Sequence, residues 1–223
     1  MNNMNIAGHI EHIALKADTT VADIEIVCNE AVEYNFGSIC IPPLFVKTAK
    51  ALLADTGVSV STVIGFPFGY SAIEAKVAEI VLAVIDAADE LCLVINTSAV
   101  KNNDWQFLAN EINTIMPIVR GRGKKISVIW ETGLMTEQEI ITACDIYGAA
   151  GVDHIQAGTG FADDAMVIEH VKLVRKHLAA AIQIKAATGV KNYSFASELI
   201  RAGSNRLCCN NGPKLIQEAL QQN

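Results

Sequence analysis

The chain has no apolar run approaching the roughly 18 residues that a membrane-spanning helix needs, so it offers no transmembrane candidate. Charge is scarce, at 18% of residues, against 51% hydrophobic. That balance excludes intrinsic disorder. Basic residues are the scarcer sign, 17 against 24 acidic, for a net charge of −7. A nucleic-acid or membrane-surface partner is therefore not expected. The six cysteines contain no CxxC pair and no zinc-like spacing, and most fall inside apolar stretches. Neither a metal nor a cofactor is expected. The first residues lack the basic and apolar regions of a signal peptide, and unpaired cysteines fit a reducing compartment, so a cytoplasmic protein is expected. Dinucleotide-binding G-x-G-x-x-G and P-loop patterns are also missing.

What the chain does have is a regular alternation. Short β-branched apolar segments recur at Glu11 to Leu15, Ser38 to Ile41, Val58 to Phe66, Leu91 to Asn96, Ile126 to Glu131, His154 to Gly158, Gln183 to Ala187 and Arg206 to Asn210. Helical spacing fills the intervals. Asp18-Thr19-Thr20 opens one helix running to about Phe36, and Thr136-x-x-Glu139 is a capping box for another, which Gly148 and Gly151 should stop. Eight strand–helix units without a linker predict one (β/α)8 barrel over residues 1–223. An open doubly wound sheet is the alternative.

In such a barrel, function belongs to the loops after the C-terminal strand ends. Lys185, inside an apolar strand, is the sharpest candidate. A desolvated lysine acts as a nucleophile or general base, whereas one paired with a carboxylate such as Glu131 is structural. The glycines Gly158, Gly160, Gly189 and Gly212, with Lys191, form a candidate phosphate site, although turn chemistry alone also uses glycine. His154 and Gln156 alternate along one strand, so both can face the interior. Of Cys208 and Cys209, only one can reach the mouth. Trp105 and Trp130 read as packing residues, and Asp163-Asp164 as a helix N-terminus.

Together these motifs resemble the 2-deoxyribose-5-phosphate aldolase family, lysine Schiff-base enzymes on a (β/α)8 barrel. His12 with Leu15-Lys16, the stretch Thr62 to Gly69, Glu90 with Val94-Ile95-Asn96, Glu131-Thr132, Thr159-Gly160-Phe161, Lys185-Ala186-Ala187 and Gly189-Val190-Lys191 carry the resemblance nearly end to end. The resemblance implies a carbon–carbon lyase, a small carbonyl or sugar-phosphate substrate and a homodimer. It also implies departures. Gln156 stands at the family's Schiff-base lysine, and Cys92 at its strand-four acid. Lys185 keeps the second lysine. Thr188, Lys191, Cys208 and Asn210-Asn211 alter the phosphate end, while Ile13-Ala14 and Pro42 alter the first two strand ends. Since these changes gather at the mouth, the pocket reads as rebuilt.

Three readings follow. The first is a lyase in which Lys185 is the remaining amine, forming the imine itself or acting as general acid/base, its pKa raised by the loss of a neighbouring cation, with Gln156 and Cys92 in the catalytic group. Thr159, Gly160, Gly189, Lys191, Cys208, Asn210 and Asn211 would then bind substrate or phosphate. The second is a different enzyme using Cys92 or Cys208 as a thiolate lowered by Lys185, or Gln156 and Asn210 as oxyanion donors. The third is an inactive metabolite-binding barrel.

Overall fold

The computed structural model describes residues 4–159, 168–187 and 189–221. Gly160, Phe161, Asp163, Asp164 and Thr188 lie outside the described residues. Eight parallel strands close into a barrel in chain order: β1 (Ile10–Ile13), β2 (Ser38–Ile41), β3 (Ser59–Ile64), β4 (Glu90–Val94), β5 (Lys125–Trp130), β6 (His154–Ala157), β7 (Gln183–Ala187) and β8 (Arg206–Cys209). The (β/α)8 expectation holds, because β-branched runs covered on both faces fit a parallel sheet and no strand is left as an edge.

The helices are α1 (Val21–Glu33), α2 (Val46–Leu52), α3 (Ile73–Ile85), α4 (Thr97–Lys101), α5 (Trp105–Arg120), α6 (Glu137–Ala150), α7 (Ile168–His177), α8 (Tyr193–Arg201) and α9 (Gly212–Gln221). Capping boxes at Thr20/Asp23 and Thr136/Glu139 start α1 and α6. Gly148 does not stop α6. It lies inside the helix, which continues to Ala150 and ends at Gly151 in the left-handed conformation. The main hydrophobic core lies between the strands' outer faces and the helices, and Trp130 packs against Tyr147 there with ring centroids 5.7 Å apart.

Strand register sorts the inward-facing side chains into rings drawn from alternate strands. The deepest holds Ser38, Glu90, His154 and Arg206. Above it lie Glu11, Ser61, Ser127 and Lys185. The next ring is Cys40, Cys92, Gln156 and Cys208, and the uppermost is Ile13, Val63, Ile129 and Ala187. Charge is thus confined to the lower half of the barrel axis, beneath the neutral thiol and amide ring.

Candidate active site

The barrel mouth holds a cavity of about 840 Å³. Gln156, Thr159, Gly189, Lys191, Cys208, Asn210 and Asn211 all line it, with Glu11, His12 and Cys40. Seven of the ten sequence-derived site residues are therefore brought together. Lys185 and Cys92 do not reach the wall; both are fully buried beneath it. The Cys208-Cys209 expectation needs correcting, since both residues contribute to the lining. Side chains alternate between faces, but a strand end also exposes backbone to a cavity.

Lys185 is paired with a carboxylate, though not with Glu131. Its Nζ lies 2.7 Å from Glu11 Oε2 and 2.5 Å from Glu90 Oε1. Glu131 instead accepts from the Thr159 backbone N–H at 2.7 Å and from the Thr159 hydroxyl. Glu131 follows the last residue of β5, so it serves the mouth loops and cannot reach the charged rings. Arg206 completes the cluster, with Nη1 3.0 Å from Glu90 and 3.4 Å from Glu11. His154 Nδ1 stands 3.3 Å from Glu90 Oε1.

The electrostatics follow from burial and pairing. Burial pushes the Glu11 carboxyl up, but Lys185 and then Arg206 outweigh it and hold it down at about 2. Burial works to lower the Lys185 pKa. The Cys92 sulfur and the Glu11 and Glu90 carboxylates overcome it and hold the amine well above its ordinary value. Lys185 is therefore a fixed ammonium at neutral pH, and its neighbours Cys92, Glu11 and Glu90 rather than the loss of a cation are what raise it. Burial lowers the His154 pKa, leaving that ring neutral. Two carboxylates and two cations balance, so the lower rings carry no net charge.

The thiolate expectation for Cys208 is overturned. Burial raises its pKa, and Glu11, 3.3 Å from Sγ, raises it further against the smaller opposing effect of Lys185. The ammonium that was to activate the thiol is neutralised by the carboxylate touching that thiol. Gln156 donates from Nε2 to the Gly158 carbonyl at 3.3 Å, while its buried Oε1 makes no hydrogen bond among the described residues. An unpaired buried acceptor in a cavity wall is suited to a ligand hydroxyl.

Sequence reasoning did not single out Glu11 or Arg206, and Glu90 entered only through the family motif. A charged residue at the first or second position of a short strand looks like a strand boundary; only the register reveals an inward ring. A second buried pair, Lys76 on α3 and Glu111 on α5, 2.6 Å apart, was also missed. Lys76 additionally donates to the Val94 carbonyl at 2.9 Å.

A closed (β/α)8 barrel with a polar cavity at its C-terminal strand ends has the layout of a small-molecule enzyme of the barrel class. No family profile matches the chain. Individual proteins do. Deoxyribose-phosphate aldolase from Thermococcus kodakarensis is 39% identical over 221 residues, covering 98% of this chain and 99% of that protein. The protein of the same name from Caldanaerobacter subterraneus subsp. tengcongensis is 40% identical over 220 residues, covering 98% and 95%. A crystal structure of a putative deoxyribose-phosphate aldolase from Coccidioides immitis superposes with a TM-score of 0.92 at 31% identity, covering 97% of this chain and 86% of that one. The chain belongs to the deoxyribose-phosphate aldolase family.

Proposed function

We propose that the chain is an aldolase-type carbon–carbon lyase acting on a small aldehyde or sugar phosphate, with acid–base rather than imine chemistry. The observation carrying this reading is the mouth cavity walled by Gln156, Cys208 and the residues that follow β7 and β8, above the ammonium of Lys185. Gly189, Lys191, Asn210 and Asn211 contain no carboxylate and offer a cation, two amides and a glycine backbone for the phosphate end. Thr159 extends that wall.

Cleavage requires a hydroxyl proton to pass to solvent water in the open cavity, the adjacent C–C bond to break with its electron pair forming the enolate at the carbonyl oxygen, and that enolate to take a proton back from water. Gln156 can donate an N–H to that oxygen but cannot form an imine. Lys185, one ring below, supplies positive potential for the developing charge. Cys92, 4.0 Å from its Nζ, fills the space where a carboxylate would compete for that charge. No cofactor is called on.

A second reading has a specific observation in its favour. Lys185 has no exposed surface and is clamped by two carboxylates, which suits a barrel that binds a metabolite without converting it. The test is incubation with 2-deoxyribose 5-phosphate, following acetaldehyde release, with borohydride trapping and mass spectrometry in parallel. Slow turnover without a trapped adduct, lost in Lys185→Met, supports acid–base cleavage. A trapped adduct at Lys185 overturns it, and saturable binding without turnover establishes the second reading. Lys191→Ala should weaken binding of the phosphorylated ligand by about tenfold, the loss of one charge-assisted contact.

The mature assembly is read as a homodimer, supported by the exposed Val81, Leu82 and Ile85 of α3. Six free, buried cysteines support a reducing, cytoplasmic setting. Among the described residues, no helix is long and apolar enough to cross a membrane.

A further inference from the structure

The neutral ring of the barrel contains three cysteines from three different strands, and the register gives them a common height. Ligand atoms of Cys40, Cys92 and Glu11 all lie within 4.8 Å of one another. From this juxtaposition we infer that Cys40, Cys92 and Glu11 form a binding site for a thiophilic divalent cation such as Zn²⁺ or Cd²⁺, with its open coordination position toward the mouth cavity.

Three considerations carry the inference, none of which depends on the lyase reading. The first is reach. In a tetrahedral zinc site with Zn–S bonds of about 2.3 Å, two sulfurs stand about 3.8 Å apart. The observed grouping needs adjustments of at most about 1 Å to reach that distance. A disulfide between the same residues does not fit. Cys40 and Cys92 are separated by an intervening strand, which puts their backbones about 9.6 Å apart, beyond the roughly 7 Å limit for a disulfide.

The second is the division of Glu11. Its Oε2 is taken by Lys185, Ser38 and Ser61. Among the described residues its Oε1 receives only the Cys208 thiol, at 3.3 Å, and so lies on the thiol side. One oxygen is anchored while the other is available as a ligand, an arrangement in which the anchoring contacts orient the ligating carboxylate.

The third is charge. The lower rings are already neutral. A divalent cation entering as two S–H protons leave changes the total by zero, so the barrel interior remains balanced. Two thiolate bonds form, two protons pass to solvent, and nothing is oxidised. Cys40 borders the cavity, which gives the ion a path in, and a water or ligand atom from the cavity can take the fourth position.

The experiment is titration of the reduced, metal-free protein with Cd²⁺, read by the ultraviolet thiolate-to-cadmium charge-transfer band and by proton release in weak buffer. The expected result is one equivalent bound with about two protons released. Cys92→Ser and Cys40→Ser, each verified as folded by circular dichroism, should each weaken binding by about tenfold or more. Cys144→Ser, remote on α6, should leave it unchanged. No band in the folded wild type overturns the inference, as does a band of undiminished affinity in Cys40→Ser and Cys92→Ser. Because band and protons are read without substrate, failure of this site and failure of the lyase reading are distinguishable.

Discussion

Replacing Lys185 by methionine keeps most of the side-chain volume and removes the charge together with its hydrogen bond to Glu11, which makes it a probe of the barrel floor. In the wild type, the Glu11 carboxyl is held at about 2 against a usual 4.5. Each tenfold change in acid dissociation is worth about 1.36 kcal/mol, so that fall is worth about 3 kcal/mol of stability at pH 7. Glu11 is fully buried, so solvent screening does not reduce the figure. Removing Lys185 forfeits the larger part of this and leaves Arg206, among the described residues, as the cation facing both Glu11 and Glu90, and breaking a buried pair usually costs about 3–5 kcal/mol. A loss of about 4 kcal/mol is expected at pH 7, or about 12 °C in Tm for a domain of this size.

The pH dependence has a definite sign. Glu11 is depressed in the folded state, so its contribution is complete above 4.5 and fades as pH falls toward 2. Lys185 is elevated, so its contribution holds below its unfolded value of 10.5 and is lost as pH rises past that. In Lys185→Met, burial acts on Glu11 with only Arg206 opposing it, and protonation relieves the destabilisation. The gap between variant and wild type should therefore shrink as pH falls from 7 toward 3, measured by thermal unfolding with circular dichroism. A loss below about 1 kcal/mol at pH 7, or a gap that stays constant with pH, would refute the argument.

The remaining predictions concern other positions. Lys76→Met should cost about 3 kcal/mol by stranding buried Glu111, whereas Lys76→Met/Glu111→Leu should recover most of it in chemical denaturation, because burial already raises the Glu111 pKa and lowers that of Lys76. Gly69→Ala and Gly151→Ala start from nearly the same backbone, φ +70 and +69. Gly151 faces open space, so it should lose about 1 kcal/mol, while a Cβ at Gly69 would collide with the Ile95 carbonyl and should cost about 3 kcal/mol or more by the same assay. Gln156→Lys would place an amine beside the Lys185 ammonium on the adjacent strand; repulsion should lower its pKa and yield a borohydride-trapped acetaldehyde adduct at 156 that wild type lacks. Mass spectrometry finding no such adduct in the folded variant would count against the position of residue 156 at the reacting centre.

The strands were legible because each is a β-branched run between turn residues, and observed limits differ from expected ones by a residue or two. The mouth residues were legible for a related reason: a barrel's topology alone says which strand ends matter. The ion network was not. Glu11, Glu90 and Arg206 each stand near a strand start, where a charge ordinarily marks the return to solvent, and their convergence depends on a stagger that one strand cannot display. Lys185 was visible, but Glu131, the example offered as its partner, is a loop residue and not an interior one. Lys76 sits in an amphipathic helix pattern and looks like a surface lysine. Its burial arises from α5 lying across α3, a tertiary event without local trace.

The ring of Cys40, Cys92, Gln156 and Cys208 also has an evolutionary consequence. It holds no formal charge and rests on a floor whose charges cancel without it. Mutations in that ring can change what the mouth does while the floor continues to hold the barrel closed. A lineage could thus exchange one chemistry for another through four codons without passing through an unfolded intermediate. A laboratory library restricted to those four positions would explore the same route.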